Sequence, residues 1–325
     1  MILKPRDIPI VILKTEALSR RLAEHHFKKK EVENHAKNLR AGYNGEKALD
    51  FTLSFLPEAP YIILHNLRIH DGSGFFQIDT LILSLQFILI TEVKNISGTV
   101  TYDEFGQAIR ISKKGEEENL GNHIEQVNLQ HFRLLRWIRE SGFPAIPFEK
   151  LIAYSNPSTI IKNVTNNKAV SDTVIHKEEL LTKIDGYSTS YQTACLTHGQ
   201  LKELSTLLIE AHTPNESDIL KKYHVERNDI LRGVFCPGCR ALPMVRIYGK
   251  WKCPHCGEVS KYAHIEALKD YNLLISDTLN NWQVRDFLRL DSIHIAKKLL
   301  QKEHLEQVGN TSARKYKLPY IMVKS

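Results

Sequence analysis

Three apolar segments, residues 61–69, 75–84 and 87–95, constrain the fold of this chain most strongly. Each is rich in Ile and Leu, the second and third also contain Phe, and polar connections such as residues 71–74 (DGSG) separate them. Runs of this length and composition predict β-strands. Because apolar residues occupy both faces of each run, we expect a central sheet that is covered on both sides.

Segments with helical periodicity flank these strands. Residues 15–40 are polar with scattered Leu and Ala and predict a charged helix. Apolar residues recur at helical spacing over residues 41–56 before the strands and over residues 122–140 after them. The order helix, three strands, helix and further strands predicts a compact α/β domain to about residue 190. The other predicted elements are a hairpin over 98–112, strands over 149–155 and 169–176 with a less certain one over 159–163, and helices over 176–184 and 197–212.

The chain carries an excess of basic residues. Its 325 residues have a formal net charge of +7 and a sequence pI near 9.0, which favours polyanionic partners but also occurs in many proteins that bind none. No run reaches the roughly 18 apolar residues of a membrane span, and the N-terminal sequence has no secretory-signal pattern. We therefore expect a cytoplasmic protein without a membrane partner, and its oligomeric state stays open.

Four of the five cysteines form two C-x-x-C pairs separated by 13 residues. They are Cys236, Cys239, Cys253 and Cys256. This spacing is typical of a structural zinc site in a zinc ribbon. Disulfides or a redox motif are weaker interpretations because a reducing cytosol keeps thiols free. Four thiolates leave no open position on the metal, so this zinc would stabilise the fold; His255 and His264 are less favoured substitute ligands.

The C-terminal part contains two short helical segments, residues 280–288 and 292–305, joined across residues 289–291. Two short helices with a tight turn resemble a helix-turn-helix. The second helix and the segment after it carry basic residues that we predict to contact nucleic acid. These are Lys297, Lys298, Lys302, Arg314 and Lys317. A small helical bundle with solvated lysines is the alternative interpretation.

Three charged residues stand inside the apolar strands: Asp79, Glu92 and Lys94. Glu92 and Lys94 are two positions apart, so both project from the same face of a strand, whereas Val93 points into the opposite layer. Antiparallel pairing of the two strands would bring Asp79 near that face. Two converging carboxylates favour a hard divalent cation such as Mg²⁺ or Mn²⁺ between them. The alternative is a strand that leaves the core, with Asp79 in a salt bridge near a turn.

The ordered set of polar residues around these strands resembles the NERD domain, the nuclease-related branch of the PD-(D/E)XK superfamily. The resemblance covers roughly residues 36–185. The matching residues are Gly45-Glu46, Gln77-Ile78-Asp79, Glu92 to Asn95 followed by Gly98, and Asn122 with Gln126. Two positions depart from the usual pattern: His123 stands where a proline is common, and Thr80 where a histidine is common. Neither position is a metal ligand in the resemblance.

The resemblance implies a restriction-endonuclease-like mixed sheet flanked by helices, and a metal site on it. Asp79, Glu92 and the carbonyl of Val93 would bind Mg²⁺ or Mn²⁺. The other implied roles concern three side chains around that cation. Lys94 would position or activate water, Glu46 would hold a coordinated water or a second ion, and Gln126 would orient Lys94 or a phosphate.

The implied activity is metal-dependent hydrolysis of phosphodiester bonds in DNA, with the C-terminal modules engaging the substrate. A noncatalytic DNA-binding or regulatory protein that retains the nuclease fold is the alternative, and RNA is not excluded as a substrate. The predicted organisation is an N-terminal helical segment (1–35), the NERD nuclease-like domain with following helices (36–212), a linker (213–232), a zinc ribbon (233–262) and a helix-turn-helix-like module (263–325).

Overall fold

The structure is a computed structural model that describes residues 1–58, 60–112, 115–310 and 314–319. The chain forms two compact units, and each has its own hydrophobic core. The first unit combines Met1–Ile8 with Asn38–Asn215, and the second combines Pro9–Lys37 with Glu216–Ser325.

Six strands form the central sheet of the first unit. They are β1 (Ile2–Lys4), β2 (Ile62–His70), β3 (Phe75–Leu83), β4 (Ile88–Lys94), β8 (Phe148–Tyr154) and β10 (Val174–His176). Their order in the sheet is β1-β2-β3-β4-β8-β10. The pairs β2/β3 and β3/β4 are antiparallel, whereas the other neighbours are parallel. The prediction of an α/β fold with a mixed sheet is confirmed.

A second sheet and five helices complete this unit. The strands are β5 (Gly98–Tyr102), β6 (Gln107–Ile111), β7 (Glu117–Asn122) and β9 (Thr159–Asn163), in the order β7-β6-β5-β9. The helices are α2 (Lys29–Leu53), α3 (His123–Glu140), α4 (Lys168–Thr173), α5 (Leu180–Ser190) and α6 (His198–Glu210). The less certain strand over residues 159–163 is therefore present as β9.

Alternating side chains of β4 pack into two apolar layers, one on each face of the central sheet. Ile88 and Ile90 belong to a layer that contains residues of α3 and α6. Leu89 and Val93 belong to the opposite layer, which contains residues of α2 and α5. This two-sided cover explains why β4 is apolar at every position before Thr91, and it confirms the covered central sheet.

A predicted strand and a predicted helix differ from the structure. Residues 169–176 were predicted as a strand, but α4 occupies most of them and β10 begins only at Val174. The cause is local: the Asn167 side chain accepts a hydrogen bond from the backbone N–H of Ala169 and caps a helix that its Val and Thr residues do not favour. The helix predicted over residues 15–40 is also interrupted, since residues 22–28 lie between two helices.

The second unit contains short helices and two small sheets. Its helices are α1 (Ile10–Arg21), the first part of α2, α7 (Ile219–Tyr223), α8 (His264–Leu274), α9 (Asn281–Leu288) and α10 (Ile293–Lys302). Its strands are β11 (Val245–Ile247), β12 (Lys250–Lys252), β13 (Val259–Ser260), β14 (Thr278–Leu279), β15 (Glu306–Val308) and β16 (Lys315–Lys317). The sheets have the orders β11-β12-β13 and β14-β16-β15. Residues 311–313 and 320–325 of the predicted C-terminal module lie outside the described residues.

The segment predicted as a linker, residues 213–232, contains α7. Its apolar residues Ile219, Leu220 and Tyr223 are buried in the same core as Leu18 of α1. Three apolar residues at helical spacing within a polar segment were too weak a signal for a helix, but burial against α1 stabilises it. Residues 9–37, which include most of the predicted N-terminal helical segment, belong to the second unit.

The helices α9 and α10 are joined by Arg289, which has a left-handed backbone with a φ of 56°. Ala296, Leu299 and Leu300 of α10 are buried, as its spacing predicts, but Ile293 is 57 % exposed. No helix of the described residues combines the length and the hydropathy that crossing a membrane requires.

Candidate functional site

Strand β4 places Glu92 and Lys94 on the same face of the central sheet. Lys94 Nζ donates to Glu92 Oε1 over 2.8 Å, and the side chains are 17 % and 7 % exposed for Lys94 and Glu92. Val93 between them faces the opposite apolar layer. Because side chains alternate along a strand, a buried carboxylate and a partly buried amine lie on the same face of the sheet at the end of β4.

Asp79 reaches the same position from β3. The antiparallel register pairs Thr80 with Thr91, which brings Asp79 level with the end of β4. Its Oδ2 accepts a hydrogen bond of 3.0 Å from the backbone N–H of Val93. The structure therefore brings Asp79, Glu92 and Lys94 together, as the antiparallel interpretation requires.

Helix α3 supplies two glutamines that contact this group. Asn122 begins the helix by accepting from the backbone N–H of Glu125. Gln126 Nε2 donates to Glu92 Oε1 over 2.7 Å, and Gln126 Oε1 accepts from Lys94 over 2.9 Å. Gln130, one turn later, donates to Glu92 Oε2 over 2.8 Å. The sequence pattern does not single out Gln130, although its i+4 spacing from Gln126 places both on the same helix face.

Glu46 comes from α2, and Gly45 allows this helix to approach the end of β4. A Cβ atom at Gly45 would overlap the side chain of Asn95 and lie 2.7 Å from Ser155 Oγ. Packing therefore requires a glycine at position 45. With any larger residue there, α2 would have to move away and carry Glu46 with it. Glu46 Oε2 accepts a hydrogen bond of 2.8 Å from Arg6.

Arg6 is a second contact residue that the sequence did not indicate. Its side chain is 1 % exposed, and it forms ion pairs with Glu46 and Asp50. Arg6 lies in a segment without helix or strand periodicity, so no pattern assigns it to the site. Only the topology of the first unit brings it near residues that follow it by 40 positions or more.

The carboxylates influence one another electrostatically. Burial raises the pKa of Asp79 well above its ordinary value, and the negative charges of Glu92 and Glu46 raise it further. Burial also raises the pKa of Glu46; Arg6 opposes this shift and Glu92 adds to it. Negative charge therefore accumulates at one buried place, which a bound cation would offset.

The donor set fits a hard divalent cation. Asp79 and Glu92 supply carboxylate oxygens, the ligands that Mg²⁺ and Mn²⁺ prefer. Both oxygens of Glu92 already accept hydrogen bonds, three in all, from Lys94, Gln126 and Gln130, and a carboxylate has about four acceptor positions. Of the acidic groups in the described residues, no three have ligand atoms within 4.8 Å of one another. A cation here would therefore use two carboxylates and further oxygens, not a closed protein cage.

The four cysteines of the two C-x-x-C pairs lie together in the second unit. Their Sγ atoms all lie within 4.8 Å of one another, and the Sγ atoms of Cys236 and Cys256, and of Cys239 and Cys253, are 3.6 Å apart. Tetrahedral zinc with Zn–S bonds of about 2.3 Å requires sulfurs about 3.8 Å apart, which these distances approach. The backbone N–H of Cys256 and then of His255 lower the pKa of the Cys253 thiol to about 6.

His264 has other partners than the cysteines. Its Nδ1 accepts a hydrogen bond of 3.1 Å from Trp251 Nε1, and its Nε2 lies 2.9 Å from Glu303 Oε1. Both ring nitrogens are thus engaged within the core, so His264 does not substitute for a cysteine. The four thiols alone form the candidate zinc site, as the spacing predicts.

The basic residues predicted to contact nucleic acid do not all lie together. Lys297 and Arg314 line the same cavity of about 360 Å³, next to the 62 % exposed Trp282. Lys298 is exposed on α10. Lys302 Nζ lies 5.5 Å from the centre of the Tyr262 ring, and Lys317 Nζ lies 3.9 Å from Glu306 Oε2. Only the first two therefore share one recess.

The fold and the site define an α/β domain whose central strands carry two buried carboxylates and a partly buried lysine. A helix that bears two glutamines flanks them. Residues 41–155 match the family model of the nuclease-related domain, NERD. The chain therefore contains a NERD domain, as the resemblance predicts, and this segment includes Glu46, Asp79, Glu92, Lys94 and Gln126. Arg6 and the second unit lie outside it. No curated protein and no solved structure matches the chain.

Proposed function

We propose that this protein is a Mg²⁺- or Mn²⁺-dependent nuclease that hydrolyses phosphodiester bonds of DNA in its first unit. The observation that carries the proposal is the position of Lys94, whose Nζ lies between Glu92 Oε1 at 2.8 Å and Gln126 Oε1 at 2.9 Å, beside the strand that bears Asp79. The match to the nuclease-related domain supports the same reaction class.

In this proposal Asp79 and Glu92 hold the cation, with the Val93 carbonyl as the further ligand that the resemblance implies. The bound cation would supply charge stabilisation at the phosphoryl group and lower the pKa of water. Gln126 fixes the Lys94 amine, which can then donate to a phosphoryl oxygen or hold water. Gln130 fixes the second oxygen of Glu92, so that the carboxylate cannot rotate away.

The test is a cleavage assay of the full chain on plasmid DNA and linear single-stranded DNA, with Mg²⁺ or Mn²⁺. We expect cleavage by the wild type, and its loss in Asp79→Asn and Lys94→Met. Lys168→Met is the matched control, because Lys168 is a highly exposed lysine paired only with Asp172 among the described contacts. Cleavage that survives in Asp79→Asn would contradict the proposal, as would the absence of any cleavage of either DNA.

We further propose that the second unit holds the nucleic acid. The supporting observation is the recess next to Trp282, in which Lys297 and Arg314 combine with Tyr316. Cations can contact phosphates, and an exposed aromatic ring can stack on a base. The helices α9 and α10, followed by the hairpin β15/β16, would serve as a helix-turn-helix with α10 presented to the groove of DNA.

The alternative function is a noncatalytic DNA-binding protein that keeps the nuclease-related fold, and the recess of the second unit favours it equally. The experiment that distinguishes the two functions uses the full-length protein. A fragment that begins at residue 230 would lack α1, which packs into the core of the second unit. DNA retention that Lys297→Ala weakens, without turnover in any divalent metal, would favour the alternative. We also propose a cytoplasmic location, since clustered metal-binding thiols persist in a reducing compartment.

A further inference from the structure

Arg6 is buried beside the candidate active site, and all three of its guanidinium nitrogens donate hydrogen bonds. Two acceptors are carboxylates: Glu46 Oε2 at 2.8 Å and Asp50 Oδ1 at 3.0 Å. The other four are Asn66 Oδ1 at 3.1 Å, the carbonyl oxygen of Asp79 at 3.3 Å, His65 Nδ1 at 2.8 Å and Thr80 Oγ1 at 2.9 Å. A side chain that is 1 % exposed has thus replaced its water shell by six protein groups.

The guanidinium is the only full positive charge in this group of contacts. Burial, and then the charges of Arg6 and Lys4, lower the pKa of His65 to about 3, so that its ring is neutral at pH 7. The carboxylates of Glu46 and Asp50 form ion pairs with Arg6 and neutralise its charge. Arg6 also contacts the backbone of Asp79, so it connects Glu46 to the residue that we assign to the cation.

We propose that Arg6 takes the place of a second divalent cation, so that the site binds a single metal ion, at Asp79 and Glu92. This inference rests on the proposed metal-dependent function. In two-metal sites the ions lie about 3.5–4 Å apart and share carboxylates. Glu46 is the carboxylate that could hold a second ion, and the guanidinium already lies 2.8 Å from its Oε2.

A second divalent ion at Glu46 would meet the fixed charge of Arg6 at short range in a poorly solvated place. Such like-charge repulsion is strong where water is excluded. The planar fork of arginine also matches several acceptors at once, which the point charge of a lysine cannot do. Arg6 is therefore a positioning residue: it fixes Glu46 as a neutralised partner of the site and leaves the cation to Asp79 and Glu92.

The experiment counts Mn²⁺ ions on the full-length, zinc-loaded protein by calorimetry and by electron paramagnetic resonance. The soft thiolate site retains zinc in the presence of the harder Mn²⁺. We expect one Mn²⁺ per wild-type chain, absent in Asp79→Asn. We expect a second Mn²⁺ in Arg6→Met, because Glu46 and Asp50 then lack a counter-charge, and its loss in Arg6→Met combined with Glu46→Gln.

Arg133→Met is the control, since Arg133 pairs with Asp71 at the β2/β3 turn and should leave the count at one. Arg6→Lys keeps the charge and should also bind one ion. If Arg6→Met does not fold, the counts for the wild type and Arg6→Lys decide the question. Two ions on the wild type, or one on folded Arg6→Met, would overturn the inference and leave the proposed function intact. If Asp79→Asn does not remove a bound Mn²⁺ ion, the proposed function itself is overturned.

Discussion

Gln130 and Glu92 are joined by a hydrogen bond of 2.8 Å between Gln130 Nε2 and Glu92 Oε2, and both side chains are buried. The other oxygen of Glu92 accepts from Gln126 and Lys94. Helix α3 thereby fixes both oxygens of a carboxylate that strand β4 carries. A carboxylate held at both oxygens keeps one orientation, which is what a ligand to a small, geometrically demanding cation needs.

We therefore predict that Gln130→Ala lowers the affinity for Mn²⁺. Loss of a hydrogen-bond partner behind a metal ligand typically costs about 10–100-fold in affinity or activity. The measurement is a Mn²⁺ titration of the variant at constant zinc content. Asn128→Ala is the matched control, because Asn128 is on the same helix but contacts Lys150 and not Glu92. Equal Mn²⁺ affinity of Gln130→Ala and the wild type would show that Glu92 does not depend on this contact.

The raised pKa of Asp79 predicts that Asp79→Asn stabilises the protein at neutral pH when neither Mg²⁺ nor Mn²⁺ is present. The sign follows from the direction of the shift. Because the folded-state pKa is raised, folding favours the protonated carboxyl of Asp79. Its contribution to the free energy of unfolding is therefore complete below the ordinary pKa of 3.8 and is lost as pH rises through the folded-state pKa. Asparagine keeps an acceptor for the N–H of Val93 without a charge. We expect the gain in Tm over the wild type to grow from acidic to neutral pH.

Asp71→Asn is the control with the opposite sign. Hydrogen bonds from Arg133 hold the pKa of Asp71 well below its ordinary value, so its stability is present at neutral pH and is lost as pH falls through the folded-state pKa. We expect this variant to lower the Tm at pH 7. Both are measured by thermal unfolding without chelator, so that zinc stays bound. Added Mg²⁺ should raise the Tm of the wild type and of Asp71→Asn, which keeps Asp79 and Glu92, but not the Tm of Asp79→Asn. An Asp79→Asn variant less stable than the wild type at pH 7 would be inconsistent with charge accumulation at the site.

The meeting of Glu92, Lys94 and Asp79 could be predicted because it follows from the two-residue period of a strand and from antiparallel pairing. The clustering of the four cysteines could be predicted because two C-x-x-C pairs at this spacing are typical of a zinc site. Arg6 could not be predicted, since its partners Glu46 and Thr80 are distant in sequence and only the fold brings them near. Helix α7 was missed because its stability comes from burial against α1, which no local pattern reports.

The close approach of α2 to β4 predicts opposite effects for two glycines of the same helix. Gly45→Ala places a methyl group against Asn95 and Ser155, which should destabilise the first unit by about 1–3 kcal/mol and move Glu46. Gly42→Ala meets no atom within 4 Å and should stabilise the helix by about 0.5–1 kcal/mol. Denaturant unfolding of both variants measures the difference. Equal stabilities would mean that Gly45 is not required by packing.

The thiol cluster predicts one tightly held zinc ion per chain. Cys253→Ser should abolish zinc retention through gel filtration and make the second unit sensitive to protease, since Cys236 and Cys253 are part of its buried core. Cys195→Ser is the control, because Cys195 packs against the core of the first unit and should keep its zinc. Metal analysis of both variants checks this. Full zinc content in Cys253→Ser would remove the cluster as the ligand set.

The recess next to Trp282 predicts that the basic residues of the second unit contribute unequally to DNA binding. Lys297 and Arg314 line it, whereas Lys302 lies over the ring of Tyr262. Each phosphate contact adds about one to the slope of log affinity against log salt. Lys297→Ala with Arg314→Ala should therefore weaken binding and reduce this slope by about two. Lys302→Ala should leave it unchanged. The measurement is a salt titration of full-length protein on duplex and single-stranded DNA in Ca²⁺, which limits turnover. If Lys302→Ala weakens binding more than the double variant does, the contact surface lies elsewhere.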